Sequence, residues 1–161
     1  MSETIVKDIG LYKNRILSTI LQSQDLCEVL LNKKTFTESE VDALIYKQVF
    51  PYLYIDGTQT QVLPYVCVEV DIPRIPTGTI KDMKLIIWCY CHKDCMKYNK
   101  KDYSGTRSDI MCDIVERKLR NSDKFGIGKL QLQSVTYLNS INSKYYGRQL
   151  IFTIPDFKVK G

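Results

Sequence analysis

Four soft side chains fall within seven residues of one another: Cys89, Cys91, His92 and Cys95. Thiolates and imidazoles are the usual ligands of zinc, so this cluster is the first place to look for chemistry. The spacing argues against a metal. Zinc fingers hold their ligands as two separated pairs, not as one run. In a strand, Cys89 and Cys91 would point to one face and His92 to the other, so a single ion would need the strand to break. A covalent mechanism needs a nucleophile with a base in reach, and His92 is the sole histidine of the chain. The residues read better as buried cysteines and a loop-edge histidine at the end of a strand. Cys27, Cys67 and Cys112 have no partnering histidine and read as core. No catalytic residue, metal site or cofactor is expected.

Carboxylate pairs are the next candidates. Glu69 and Asp71 share one side of an alternating run, and Glu38 and Glu40 lie close together. Either pair could do acid–base work. The solvated face of a strand and the start of a helix explain them as well. Asp109 and Asp113 are one helical turn apart with Arg107 just before them, which suits a salt-bridged helix start or a subunit contact. Gly126 and Gly128 flank Ile127, but a third glycine is missing and a strand follows where a phosphate loop needs a helix.

The elements that must position these residues follow from periodicity. Residues 8–32 read as helix, with Ile9, Tyr12, Ile16 and Ile20 on one apolar stripe and Ser23 placed to cap a second segment, 24–31. Thr37 and Glu40 have capping-box spacing, so a short helix is expected over 38–49, ending before Pro51. Asp56-Gly57 is a turn signal. Period two then sets in over 63–72. Tyr65, Cys67, Glu69 and Asp71 lie on one face, and Val66, Val68, Val70 and Ile72 on the other. Pro73, Pro76 and Gly78 make the connection to a second strand, 79–92. Both faces of that strand are apolar, so it should be central and covered on both sides, with a helix on one face and another subunit a candidate for the other. A polar loop over 93–105 leads to a helix near 106–121 that Thr106 or Ser108 would cap. Its early acids and late bases complement the helix dipole. Strands over 128–138 and 145–154 close the pattern. The last is expected to stop at Pro155, with a frayed tail from Lys158.

The fold class is therefore α+β: a mainly antiparallel sheet of two hairpins (β-β-α-β-β), flanked by N-terminal helices and one central helix. With 161 residues the chain fits a single domain, a helical part over 1–50 and a sheet–helix core over 63–157. At this size it buries enough surface to need no disulfide or metal for stability. A net charge of +5 is too mild for a dedicated nucleic-acid binder. The denser lysine run over 93–101 reads as a solvated loop or as a surface for phosphate or an acidic partner. Eleven tyrosines suit contact surfaces, and they suit strands equally. No signal peptide and no membrane span are expected, so the cysteines should stay reduced in a cytosolic setting.

The element order and several stretches resemble the tail terminator (tail completion) and neck proteins of long-tailed bacteriophages. These stretches are 84–92 (KLIIWCYCH), Gly105-Thr106-Arg107-Ser108-Asp109, Phe125-Gly126-Ile127-Gly128-Lys129-Leu130, and Tyr146-Gly147-Arg148-Gln149-Leu150 running to Asp156-Phe157. The resemblance spans roughly residues 65–157. It implies a structural virion protein without enzyme activity, a homo-oligomer forming a ring of six copies that caps the tail tube. Its partners would be the tail tube protein and the head–tail connector. DNA would pass through the lumen without sequence-specific binding, and no membrane is involved. The protein would assemble in the host cytoplasm and end in the virion. Subunit contacts are expected at Lys93, Lys97, Lys100, Lys101, Arg107, Asp109, Asp156 and Phe157. A head-completion or connector protein, a small-ligand binding module and a Cys/His-based enzyme remain open as alternatives.

Overall fold

The computed structural model describes residues 4–75, 80–120, 129–138 and 143–158. Three helices come first: α1 (Ile5–Leu21), α2 (Gln24–Leu31) and α3 (Glu38–Asp42). Strands β1 (Val49–Phe50), β2 (Pro64–Arg74) and β3 (Ile80–His92) follow, then α4 (Arg107–Leu119), β4 (Gln131–Leu138) and β5 (Tyr145–Lys158). The five strands form one sheet in the order β1-β2-β3-β5-β4. The hairpins β2–β3 and β4–β5 are antiparallel and join through an antiparallel β3–β5 pairing. Only β1 runs parallel to its neighbour. This is the expected α+β class, with β3 central.

Local signals account for the helix boundaries. The Ser23 hydroxyl accepts from the Leu26 amide at 3.2 Å, and Asn32 ends α2 in the left-handed region at φ 56. Thr37 with Glu40 and Thr106 with Asp109 both form complete capping boxes. The helix expected over 38–49 is shorter than its pattern suggested. It stops at Asp42 because the following turns serve the sheet: Val49 and Phe50 pair with Val66 and Cys67. The buried Gln48 amide donates to the carbonyls of Leu30, at 2.6 Å, and Pro64, at 3.3 Å. Leu11, whose spacing also fits the apolar stripe of α1, is exposed.

Helices α1, α2 and α4 cover one face of the sheet. Ile16, Ile20, Leu26 and Leu30 meet Val66, Val68, Leu85 and Ile87, while Ile110, Met111 and Ile114 meet the β3–β5 side of the same core. The other face is covered at the His92 end of β3 by the chain's own residues. Phe50, Tyr54 and Leu63 lie against Tyr65, Cys67, Trp88, Tyr90 and Tyr145. The expectation that another subunit covers this face therefore fails for the His92 end. Toward the opposite end Ile86 and Ile151 are only partly buried.

Two prolines expected to end strands lie within them. Pro73 falls where the β2–β3 register shifts between Asp71 and Arg74. Pro155 falls where the β3–β5 register shifts between Met83↔Ile154 and Lys81↔Phe157. A bulge leaves one residue outside the ladder, so a residue without an N–H is tolerated there. Strand β5 accordingly runs on to Lys158. Residues 121–128, with Gly126 and Gly128 among them, and residues 139–142 and 159–161 lie outside the described residues.

Candidate functional site

The most developed surface feature grows out of the cover segment between β1 and β2. Phe50 and Tyr54 stack at 4.2 Å with their rings 15° apart. Tyr65 and Tyr90 stack at 5.3 Å and 20°. Tyr145 stands edge-on to both Tyr65 and Tyr90, and His92 stands edge-on to Tyr145 at 5.4 Å. Such pairs stabilise by about 0.5–1.5 kcal/mol each beyond the area they bury.

Asp56 holds the cover down. Its carboxylate accepts from the amides of Thr58, Thr60 and Gln61, each at 3.1 Å, and from the Thr58 hydroxyl at 2.8 Å. The Tyr145 hydroxyl donates to Asp56 at 3.3 Å and to the Gln61 carbonyl at 2.9 Å. Hydrogen bonds from Thr58, first the hydroxyl, and from the Gln61 amide pull the Asp56 carboxyl down to about 2. Burial, followed by the nearby Asp56 charge, pushes Tyr145 up to about 12.

Several large apolar residues in and beside this cover are exposed. Tyr46 (64%), Tyr52 (44%), Leu53 (41%), Ile55 (49%) and Val62 (46%) all face solvent. Tyr46 packs edge-on against Phe50 at 6.2 Å and lies 6.4 Å from Tyr52. It holds φ 63, a left-handed conformation uncommon for an aromatic residue. An open cleft of about 410 Å³ lies between Tyr46, Lys47, Tyr52, Tyr54 and Leu63. Sequence reasoning missed this surface. The signal was present in the alternate aromatics Phe50, Tyr52 and Tyr54, set in a segment that read only as a turn.

The residues expected at subunit contacts divide. Lys93, Lys97 and Lys101 are exposed. Lys100 is committed within the chain, paired with Glu28 and lying 3.5 Å from Asp25. Burial works against its charge, but these carboxylates hold the ammonium above its usual pKa. Arg107 is buried and cannot offer its guanidinium to a neighbour. It donates to the carbonyls of Cys95 at 2.7 Å and Val29 at 2.9 Å and to the Asn32 side chain at 3.2 Å, and it lies 3.9 Å over the Tyr98 ring. Asp109 caps α4 and accepts from Arg148 at 2.9 Å. Burial opposes its ionisation, but the Thr106 amide and Arg148 hold its carboxyl low. Asp156 and Phe157 lie on β5, Phe157 opposite Lys81.

The cysteine–histidine run is divided between the two faces. Cys89 is buried among the helices' apolar residues, and its thiol is pushed up by hydrogen bonding to Cys112 and by burial. Cys91 bonds Met96 at 3.4 Å, and Cys95 donates to the His92 carbonyl at 3.3 Å. The Cys91 thiol beside it, then Arg107, lower Cys95 to about 7. His92 is buried on the opposite face, where its Nδ1 accepts from the Asp94 amide at 3.1 Å. Among the described residues no three His, Cys, Asp or Glu side chains gather in a way that could hold a metal ion. Nor is any described helix long and apolar enough to cross a membrane.

No curated protein sequence matches the chain. The model of the YomW family matches residues 23–154. That span takes in α2, α3 and α4, the first four strands and β5 as far as Ile154, so the chain belongs to the YomW family, a phage-associated group.

Proposed function

We propose that the chain is a structural, self-associating component of the phage particle. In this reading it is a tail terminator, a ring of six copies seated on the end of the tail tube and facing the head connector. DNA passes through the lumen without sequence-specific contacts. The protein assembles in the host cytoplasm and stays in the virion. No catalytic step and no cofactor belong to this role.

The observation that carries the reading is the exposed apolar side chains in and beside the cover: Tyr46 and Tyr52, whose rings lie 6.4 Å apart, with Leu53, Ile55 and Val62 exposed further along the segment. Contiguous exposed apolar surface with polar surroundings marks a protein contact, and tyrosine is enriched in such contacts. A head-to-tail ring needs two unlike patches on each copy. The exposed lysines Lys93, Lys97 and Lys101 supply the second, since ammonium groups are attracted to tyrosine faces. Membership of a phage-associated family and the two-hairpin element order on which the resemblance rests both support the assignment.

Electron microscopy of the purified chain mixed with tail tube subunits tests this. Rings with an open centre are expected at the tube ends. Tyr52→Asp combined with Leu53→Asp should leave the tubes uncapped while the chain stays folded. Tubes that remain uncapped by the unaltered chain reject the reading.

A further inference from the structure

The two lateral edges of the sheet differ sharply in how they are finished. On the β1–β2 side, the Tyr46 amide donates to the Val49 carbonyl at 2.8 Å and closes the outside of β1, which Pro51 follows directly. Beyond β1, the Glu69 carboxylate turns back onto the amide of Val70 at 3.1 Å and pairs with Lys13 on α1. The exposed Asp71 and the bulge at Pro73 complete that edge. Charges, prolines, bulges and short edge strands are the devices that keep a sheet edge from pairing with another chain.

The β4 edge lacks most of them. Gln131–Leu138 reads QLQSVTYL, with no charge, proline or glycine. Its register shift with β5 lies between Leu132 and Ser134, so the run Ser134–Leu138 pairs regularly with Ile151–Gly147. Among the described residues nothing pairs with the outer side of this strand. Alternate residues therefore turn N–H and C=O groups outward without a backbone partner. Two large apolar side chains, Val135 (46%) and Tyr137 (57%), stand exposed on the helix-bearing face of the same strand.

We propose that β4 pairs antiparallel with β4 of a second copy, about a twofold axis through Thr136. The strand's composition selects the occupant. A twofold pairing sets a strand against its own sequence, so any charge would meet its like, and β4 carries none. The register follows from the pleat. Directly opposed residues must share a face, so the axis passes through a residue and not between two. With the axis at Thr136, Val135 of each copy faces Tyr137 of the other, and Ser134 faces Leu138. An aromatic residue opposite a β-branched one is a favourable cross-strand pair. The four exposed side chains then bury one another on a single face. An axis at Val135 instead sets Tyr137 against the bulge. The nearby carboxylates Asp113 and Glu116 are each paired with an arginine of their own helix, so they do not oppose the approach. This contact lies on the edge of the sheet away from the aromatic cover and does not depend on the ring.

Charge reversal at the axis tests it. Thr136 is exposed, so Thr136→Lys and Thr136→Glu leave the chain's own core untouched. In native mass spectrometry the unaltered chain, alone, should give a particle of twice the chain mass. Each variant should fall to the single-chain mass, and an equal mixture of the two should restore a heterodimer. Only a like-with-like contact through residue 136 predicts that rescue. Hydrogen exchange on the unaltered chain supplies a check that needs no variant: protection of alternate β4 amides should rise with protein concentration. A single-chain mass for the unaltered protein overturns the proposal. So do dimers that persist in both variants, or a mixture that stays monomeric. A six-copy particle indifferent to both substitutions would leave the ring standing and remove the β4 seam.

Discussion

Arg107 shows how much one side chain can be asked to do. Its guanidinium ties the carbonyl of Cys95, the carbonyl of Val29 and the side chain of Asn32, joining the strand end, α2 and α4. Removing it leaves buried acceptors unpaired, at roughly 1–3 kcal/mol each before relaxation. Arg107→Ala should lower unfolding stability by about 3 kcal/mol in denaturant titration, and Arg107→Lys should rescue little because an ammonium cannot reproduce the planar fork. At the same spot Cys95 is the one cysteine that is not buried, and its thiol is lowered to about 7. Iodoacetamide applied to the native protein should therefore label a single cysteine. The rate should climb with pH and reach half its maximum near 7, with peptide mapping placing the adduct on Cys95.

At the level of elements, the joint between the hairpins is the tightest point. Gly147 lies opposite Tyr90 on one side and Leu138 on the other. A Cβ there would sit 2.0 Å from the Cys89 carbonyl oxygen and 2.5 Å from the Tyr90 Cα, both of them backbone. Neither neighbour can rotate away, so β3 and β5 would have to part. Gly147→Ala should cost about 1–3 kcal/mol or more, read as a fall in the denaturation midpoint with far-UV dichroism kept until the transition.

The elements themselves were largely legible in the chain. Alternation marked β2 and β3, Thr37–Glu40 spacing marked the cap of α3, and Thr106 was one of two hydroxyls offered as the cap of α4. What was not legible depends on contacts between distant parts of the chain. The two-residue strand β1 is too short to show a period, and it exists because β2 lies beside it. Arg107 read as a surface charge because nothing local shows that Val29, 78 residues earlier, will lie over it. The prolines at 73 and 155 read as strand ends because a bulge is a property of two strands together. The exposed lysines of 93–101 were expected at the surface, whereas the pairing of Lys100 with Glu28 needed the packing of α2 to be seen.

Across the whole molecule, the cover from residue 51 to 63 is fastened to the last strand by a bond between residues 89 apart, Tyr145 to Asp56. Part of that fastening depends on a carboxylate, and the shorter Tyr145 bond, to the Gln61 carbonyl at 2.9 Å, does not titrate. An ordinary aspartate titrates near 3.9 and Asp56 near 2, so its contribution is complete above about pH 4. That contribution is lost as the pH falls through about 2. Acid should then loosen the flap while the ladders beneath it persist, baring a greasy slab of Phe50, Tyr65 and Tyr90. An environment-sensitive dye should brighten on acidification before the strand signal is lost, and Asp56→Ala should move that brightening to neutral pH. A preparation taken down to about pH 2 would clump through that slab while most of its secondary structure was intact.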